Sequence, residues 1–248
     1  MTPESTADNA TPPLGELGRI TGVYLDPKKA FTDIVARPGW IVPAVLLIVV
    51  AVAFTYTYTT KIGWDRYFHQ IAETNTRMQQ LDPQQRENAI QQQTKFAPIG
   101  GYVFSVIGIP VSMLIVGGVL LLVGKMGGAS SLRYKQTLGI ASYGMLPGLI
   151  SSILAIVVMF LKNPDDFNLQ NPLAFNLGAF LAPPPNTGKF VYGVAKSFDL
   201  FTIWMILLMA VGLSVASKKM AFSKAVILIV VPWLIWVLAT SGLAGMFG

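Results

Sequence analysis

Five stretches of the chain, roughly 41–60, 99–123, 136–161, 199–216 and 225–247, are long and apolar and carry no charge at their centres. About 20 helical residues cross the hydrocarbon core of a bilayer. In lipid no water is available to pair backbone N–H and C=O groups, and a helix pairs them within itself. The pattern therefore predicts an all-α fold: an integral membrane bundle of five transmembrane helices. Composition agrees, since 12% of residues are charged and 53% are hydrophobic, against about 25% charged in an ordinary soluble domain. The fourth stretch is the shortest and begins with Asp199. It could lengthen only through 190–198, which would bring Lys196 to the interface.

The net charge of +6 reads as loop topology rather than as a nucleic-acid footprint. Between the second and third stretches lie Lys125, Arg133 and Lys135; between the fourth and fifth lie Lys218, Lys219 and Lys224; neither connection holds an acid. The segment before the first stretch carries Arg19, Lys28, Lys29 and Arg37, while the long loops 61–98 and 162–198 mix basic and acidic residues. Because lysine and arginine in short loops stay inside, the N-terminus is expected in the cytoplasm and the C-terminus outside. Lys28, Lys29, Arg37, Lys125, Arg133, Lys135, Lys218, Lys219 and Lys224 become candidate contacts to lipid headgroups. Each is worth about 1 kcal/mol near an anionic leaflet.

Residues 1–18, MTPESTADNATPPLGELG, are polar and lack the basic start and apolar core of a signal peptide. They are expected to be a disordered tail preceding one membrane domain over 19–248. In YLDPKKAFTDIVARPGW, Asp26 and Pro27 open a helix as cap and first residue. Ala30, Phe31, Ile34 and Val35 share one face, Pro38 ends the helix and Trp40 marks an interface. This predicts an amphipathic helix lying on the membrane surface; the alternative is a plain lead-in to the first span. Loop 61–98 repeats the cap at Asp82–Pro83 and reads as a solvated helical hairpin. The apolar piece 173–181 is too short to span and reads as re-entrant or surface-lying.

In LRYKQTLGIASYGMLPGLISSIL, residues 132–154, Pro147 follows Tyr143 by four positions. Pro43, Pro110 and Pro232 fall in the first, second and fifth stretches. Gly144 and Gly148 form GxxxG, and Gly108/Ser112 and Ala210/Ser214 are further small pairs of the kind that lets membrane helices approach closely. Pro110, Tyr143, Gly144, Pro147, Gly148 and Pro232 are candidate packing and kink residues. Two readings stay open: close packing with static bends, or a hinge or cavity lined by broken helices.

The chemistry of catalysis finds no foothold. The chain has no cysteine and one histidine, His69, in a polar loop. Asp165–Asp166 reads as a turn, and GKMGGAS lacks the spacing of a phosphate-binding loop. No ionisable residue lies deep in a span, where proton and ion pathways usually place one. No catalytic, cofactor-binding or metal-ligating residue is assigned, and no nucleic-acid partner.

Three motifs carry a resemblance. LDPKKAFTDIVARPGW, YKQTLGIASYGMLPGLI and DLFTIWMILLMAVGLSVASKKMAFSKAV, the last with Asp199, Phe201, Trp204, Gly212, Lys218 and Lys219, stand in order over about residues 15–245. The chain resembles the Yip family, the Ypt/Rab-interacting membrane proteins, in its bacterial branch. The resemblance implies five helices, a cytoplasmic N-terminus, residence in a bacterial cytoplasmic membrane, and neither catalytic residues nor a cofactor. Eukaryotic members are associated with Rab-type GTPases and membrane trafficking. The N-terminal tail here is shorter than theirs and a bacterium lacks Rab partners, so GTPase binding is not carried over. The expected role is non-enzymatic: membrane organisation or scaffolding through lipids, partner proteins and self-association by small-residue helix faces. The alternative is a channel or transporter for a small neutral solute, built on the proline-kinked helices, with a dimer needed because five spans do not divide into two repeats.

Overall fold

The computed structural model describes residues 13–184 and 186–247. Two short helices open it, α1 (Glu16–Leu25) and α2 (Pro27–Ala36), joined at Asp26, whose carboxylate accepts from the Lys29 N–H at 3.2 Å. Helix α3 (Ile41–Thr57) ends in a wide π turn over Tyr58–Ile62. After Gly63, which turns the chain at φ 87°, come α4 (Trp64–Thr74) and the single turn α5 (Thr76–Gln79). Helix α6 (Pro83–Val103) passes through a second π turn, Phe104–Gly108, into α7 (Ile109–Met126). Helices α8 (Tyr134–Gly144), α9 (Pro147–Leu161), α10 (Lys189–Ser197), α11 (Leu200–Ala216) and α12 (Phe222–Phe247) complete the set.

Four helical runs are long and apolar enough to cross a membrane: Ile41–Lys61, Pro83–Met126, Tyr134–Leu161 and Phe222–Met246. Helix α11 is apolar but has 17 residues, about 25 Å at 1.5 Å per residue. The extension considered through 190–198 is not made. The chain breaks at Phe198–Asp199, and the Asp199 carboxylate caps α11 by accepting from the Phe201 and Thr202 N–H groups at 2.9 and 3.0 Å. The α6–α7 run has 44 residues, about 66 Å, so it overreaches a ~30 Å core. Its polar first half packs against α4 as the helical hairpin expected for loop 61–98.

Each proline is accommodated differently. Pro110 is the second residue of α7, directly after the π turn, where Ser112 Oγ donates to the Gly108 carbonyl at 2.7 Å. The widened turn relieves the clash a proline ring makes one turn back. Pro147 is the first residue of α9, and Met145 and Leu146 form a turn rather than helix. The third span is thus two helices meeting at a break, not one kinked helix, because a proline at the first helical position loses no internal hydrogen bond. Pro43 sits in the first turn of α3, and Pro232 lies inside α12.

Helix α8 is the axis of the fold. Every residue from Thr137 to Gly144 is buried, enclosed by α7, α11 and α2. Thr137 and Ser142 bond carbonyls of their own helix, at Tyr134 and Gly139, so their burial leaves no donor unpaired. The core gathers Phe31, Ile34, Ile140, Tyr143, Leu146 and Leu213. Val45, Val49, Ile107, Ile115, Leu122, Ile227, Ile235 and Trp236 point outward and are exposed, an inversion suited to an apolar solvent.

Two expectations need correction. The face of α2 read as lying on lipid is inside the protein: Ala30, Phe31 and Ile34 are fully buried against α1, α8 and α11. Protein rather than lipid covers this apolar stripe. Helix α1 begins at Glu16, so the last residues of the expected 1–18 tail are helical; residues 1–12 lie outside the described residues. The piece 173–181 is irregular, with a 3₁₀ turn at Leu177–Phe180, and is pinned to the α10–α11 junction. Leu200 N–H donates to the Phe175 carbonyl at 3.0 Å, and Leu177 N–H to that of Phe198 at 3.3 Å.

Candidate functional site

The two acid-free basic turns meet. Lys224, in the first turn of α12, donates from Nζ to the Gly127 carbonyl at 2.8 Å. Gly127 approaches Met220 so closely that a Cβ there would sit 2.4 Å from the Met220 methyl. A side chain there would have to displace the ends of Met220 and Leu228. Beside these turns, Gln136 Nε2 donates to the Val35 carbonyl at 3.2 Å and to this extent anchors the end of α2 to the start of α8. Lys125, Arg133, Lys135, Lys218 and Lys219 are exposed around this end, and so are Lys28, Lys29 and Arg37 on and just after α2. Lys224 is exposed as well, though its ammonium is engaged. Arg37 pairs with Asp33.

Beneath them the α1–α2 hairpin is locked by a charge network. Arg19 has a side chain only 8% exposed; its Nε donates to Asp33 at 2.7 Å and its Nη1 to Glu16 at 3.1 Å. Asp33 also accepts from the Leu14 N–H at 3.1 Å. Tyr143, from the centre of the third span, donates its hydroxyl to Glu16. A buried guanidinium is tolerated when carboxylates satisfy it from two sides and their spare lone pairs are used as well. Tyr24 adds a second anchor: its hydroxyl donates at 2.8 Å to the Leu146 carbonyl, in the break ahead of Pro147. Its ring meets Trp204 edge-on, with centroids 5.6 Å apart. Burial pushes the Tyr24 phenol up to about 12, because a phenolate would lose its hydration there.

The small residues of the third span face α11. A Cβ on Gly144 would lie 2.6 Å from Met209 Cγ, and one on Gly148 3.4 Å from the Met205 methyl. From the other side, a Cβ on Gly212 would lie 2.5 Å from Ile140 Cγ2. Tyr143, Gly144, Pro147 and Gly148 are therefore assembled at one break, between the hairpin and α11. Pro110 and Pro232 belong to separate helices, α7 and α12.

Sequence reading counted Arg19 as one charge among several and missed the network. Its local signals were the i, i+3 spacing of Glu16 and Arg19 and the i, i+4 spacing of Asp33 and Arg37. The remaining polar residues sit apart from this site. His69 lies 3.7 Å from Asp65 and 4.0 Å from Glu87 in the α4–α6 hairpin, half exposed. Asp165 pairs with Arg66.

Compared with known families, residues 21–244 match the family model of the Yip1 domain. No curated protein and no solved structure gives a match to the chain.

Proposed function

The chain belongs to the Yip1 domain family, and from that premise we propose that it is a non-enzymatic, multi-pass membrane protein acting by association, as an organiser or scaffold. It crosses the membrane five times, α11 being the short crossing, with its N-terminus in the cytoplasm of a bacterium and its C-terminus outside. The basic turns then face the cytoplasmic leaflet.

The observation that carries this reading is the union of two acid-free basic turns by the Lys224–Gly127 bond. It concentrates Lys125, Arg133, Lys135, Lys218 and Lys219, all exposed, at one end of the molecule. Five such charges amount to several kcal/mol of attraction to an anionic leaflet, at about 1 kcal/mol each. The docked hairpin contributes a second surface. With the α2 stripe buried, the outward apolar residues are Leu17 and Leu25 of α1, 75% and 85% exposed, close in sequence to Lys28 and Lys29. That combination suits a headgroup boundary. Small-residue faces elsewhere on the bundle, such as Gly118, whose Cβ position is open, offer surfaces for self-association.

The test uses the full-length protein. Lys125, Arg133, Lys135, Lys218 and Lys219 are changed together to Gln, leaving Lys224 in place because it holds the turns. Crosslinking in native membranes, followed by identification of co-purifying proteins and anionic lipids, should recover a defined set from the unaltered chain and lose most of it from the variant. Equal recovery from both would remove the basic end from the function.

A further inference from the structure

At the other end of α12 lies a cleft of about 360 Å³, walled by α4, α10, the last turns of α12 and the loop after α9. Its size falls in the range of small-ligand sites. One face of α10 lines it: Lys189, Tyr192, Gly193 and Lys196 recur at i, i+3, i+4 and i+7. Tyr67 and Gln170 stand among the lining residues from α4 and the loop. Among the described residues that line the cleft there are two lysines and no carboxylate.

The wall is held rigidly. Gly193 packs so closely on α12 that a Cβ there would lie 2.9 Å from Ser241 Oγ, and Phe198 stacks edge-on against Trp233 at 5.3 Å. Lys196 is therefore fixed by its backbone. It is half-buried, and its ammonium makes no ion pair or hydrogen bond with a described residue. The Tyr192 hydroxyl, one turn earlier, is likewise without a partner among the described residues. Burial lowers the pKa of Lys196, so its charge is held against a desolvation penalty that an anion would relieve.

We propose that this cleft binds a phosphate group, with the Lys196 ammonium as its counter-charge and the Tyr192 hydroxyl and Gln170 amide as neutral donors. Phosphate fits the features together. Its several acceptor oxygens match donors spread around a volume larger than a carboxylate fills. The cleft also sits where the apolar run of α12 ends and that of α11 begins, the depth at which a bilayer carries its phosphates. The group is presented by a phospholipid headgroup or arrives as free phosphate; the same side chains meet either. The site shares no residue with the basic turns and stands or falls apart from them.

The test is thermal unfolding of purified full-length protein in neutral detergent, titrated separately with phosphatidylglycerol, diacylglycerol and inorganic phosphate. A ligand of the native state raises the melting midpoint in proportion to its occupancy. Phosphatidylglycerol is expected to raise it and diacylglycerol, which lacks the phosphate, to leave it unchanged. A rise with inorganic phosphate alone makes free anion the source; a rise with the lipid alone makes it the headgroup. Lys196→Gln should weaken the apparent affinity about tenfold, the loss of one charge-assisted bond. Tyr192→Phe, which removes one oxygen and keeps the packing, should weaken it by a smaller factor. In a background with Lys218 and Lys219 changed to Gln, Lys196→Gln should cause the same further loss, which separates this cleft from the attraction of the basic turns for anionic lipid. No shift with either phosphate source, or undiminished shifts in both Lys196→Gln and Tyr192→Phe, overturns the proposal.

Discussion

The Tyr143 hydroxyl donates to the carboxylate of Glu16, 127 positions earlier in the chain, and so fastens the N-terminal hairpin to the middle of the third span. The same carboxylate holds Arg19, and Arg19 holds Asp33 on the next helix. One hydrogen bond thereby connects the cohesion of the hairpin to the break in α8–α9.

Arg19→Ala should destabilise the protein by about 3 kcal/mol, because it removes the buried cation that joins Glu16 to Asp33 and leaves Asp33 only the more exposed Arg37. Lys28→Ala, at an exposed position on the same hairpin, should change stability by under about 0.5 kcal/mol. Chemical or thermal unfolding in detergent measures both. Limited proteolysis should show cleavage in 14–37 rising in the Arg19 variant ahead of the remaining helices. Equal stability of the two variants would mean that the network is not what holds the hairpin.

Tyr24→Phe should cost about 1 kcal/mol at neutral pH through loss of the bond to the Leu146 carbonyl. It should also change the alkaline limb of the stability curve. With the folded pKa raised to about 12 and the unfolded one near 10, the native state favours neutral Tyr24. Its contribution is complete below about pH 10 and is lost as pH climbs from 10 toward 12. Melting midpoints collected across that window should fall less steeply in Tyr24→Phe than in the unaltered protein.

Gly212→Ala should destabilise by about 1–3 kcal/mol, since the new methyl would meet Ile140 Cγ2 at 2.5 Å and Phe31 Cδ1 at 3.1 Å, both on residues locked in the core. Gly118→Ala, with nothing within 4 Å of the added carbon, should be neutral or should stabilise by up to about 1 kcal/mol through helix propensity. If the two changes had similar effects, close approach of α8 and α11 would not be what Gly212 provides.

Pro147→Ala should shift stability by less than about 1 kcal/mol and leave the break at Met145–Leu146 in place. Proline at a first helical position only pre-sets a backbone already constrained by its neighbours. Here those neighbours are Tyr24, bound to the Leu146 carbonyl, and Met209, against Gly144. Spin labels at 138 and 154 on the Cys-free chain, after cysteine substitution, should report the same separation with and without the proline. A lengthened, straightened distance would instead make Pro147 the cause of the break.

What the sequence determined by itself was the solvent and the sequence limits of the long helices. Runs such as 41–60 and 225–247 are apolar whichever neighbours they have, and membrane partition depends on that local sum, so four of the five observed apolar helices fall within a few residues of the expected spans, while the second begins at Pro83, well before residue 99, because the polar helix of loop 61–98 runs into it unbroken. Capping was equally local: Asp26, Asp82 and Asp199 each accept from N–H groups two or three residues on. The tertiary structure alone decided which surface covers the α2 stripe. An amphipathic helix has the same pattern whether lipid or protein meets its apolar side, and only the arrival of α8 and α11 chose protein. It also decided that Glu16 would meet Tyr143 and that Lys196 would stand in a cleft with no partner among the described residues, since contacts between distant residues leave no periodic trace in the chain. A helix break was written at Pro147 but its exact form was not, because whether a proline bends a helix or begins a new one depends on which side chains reach the carbonyls it leaves free.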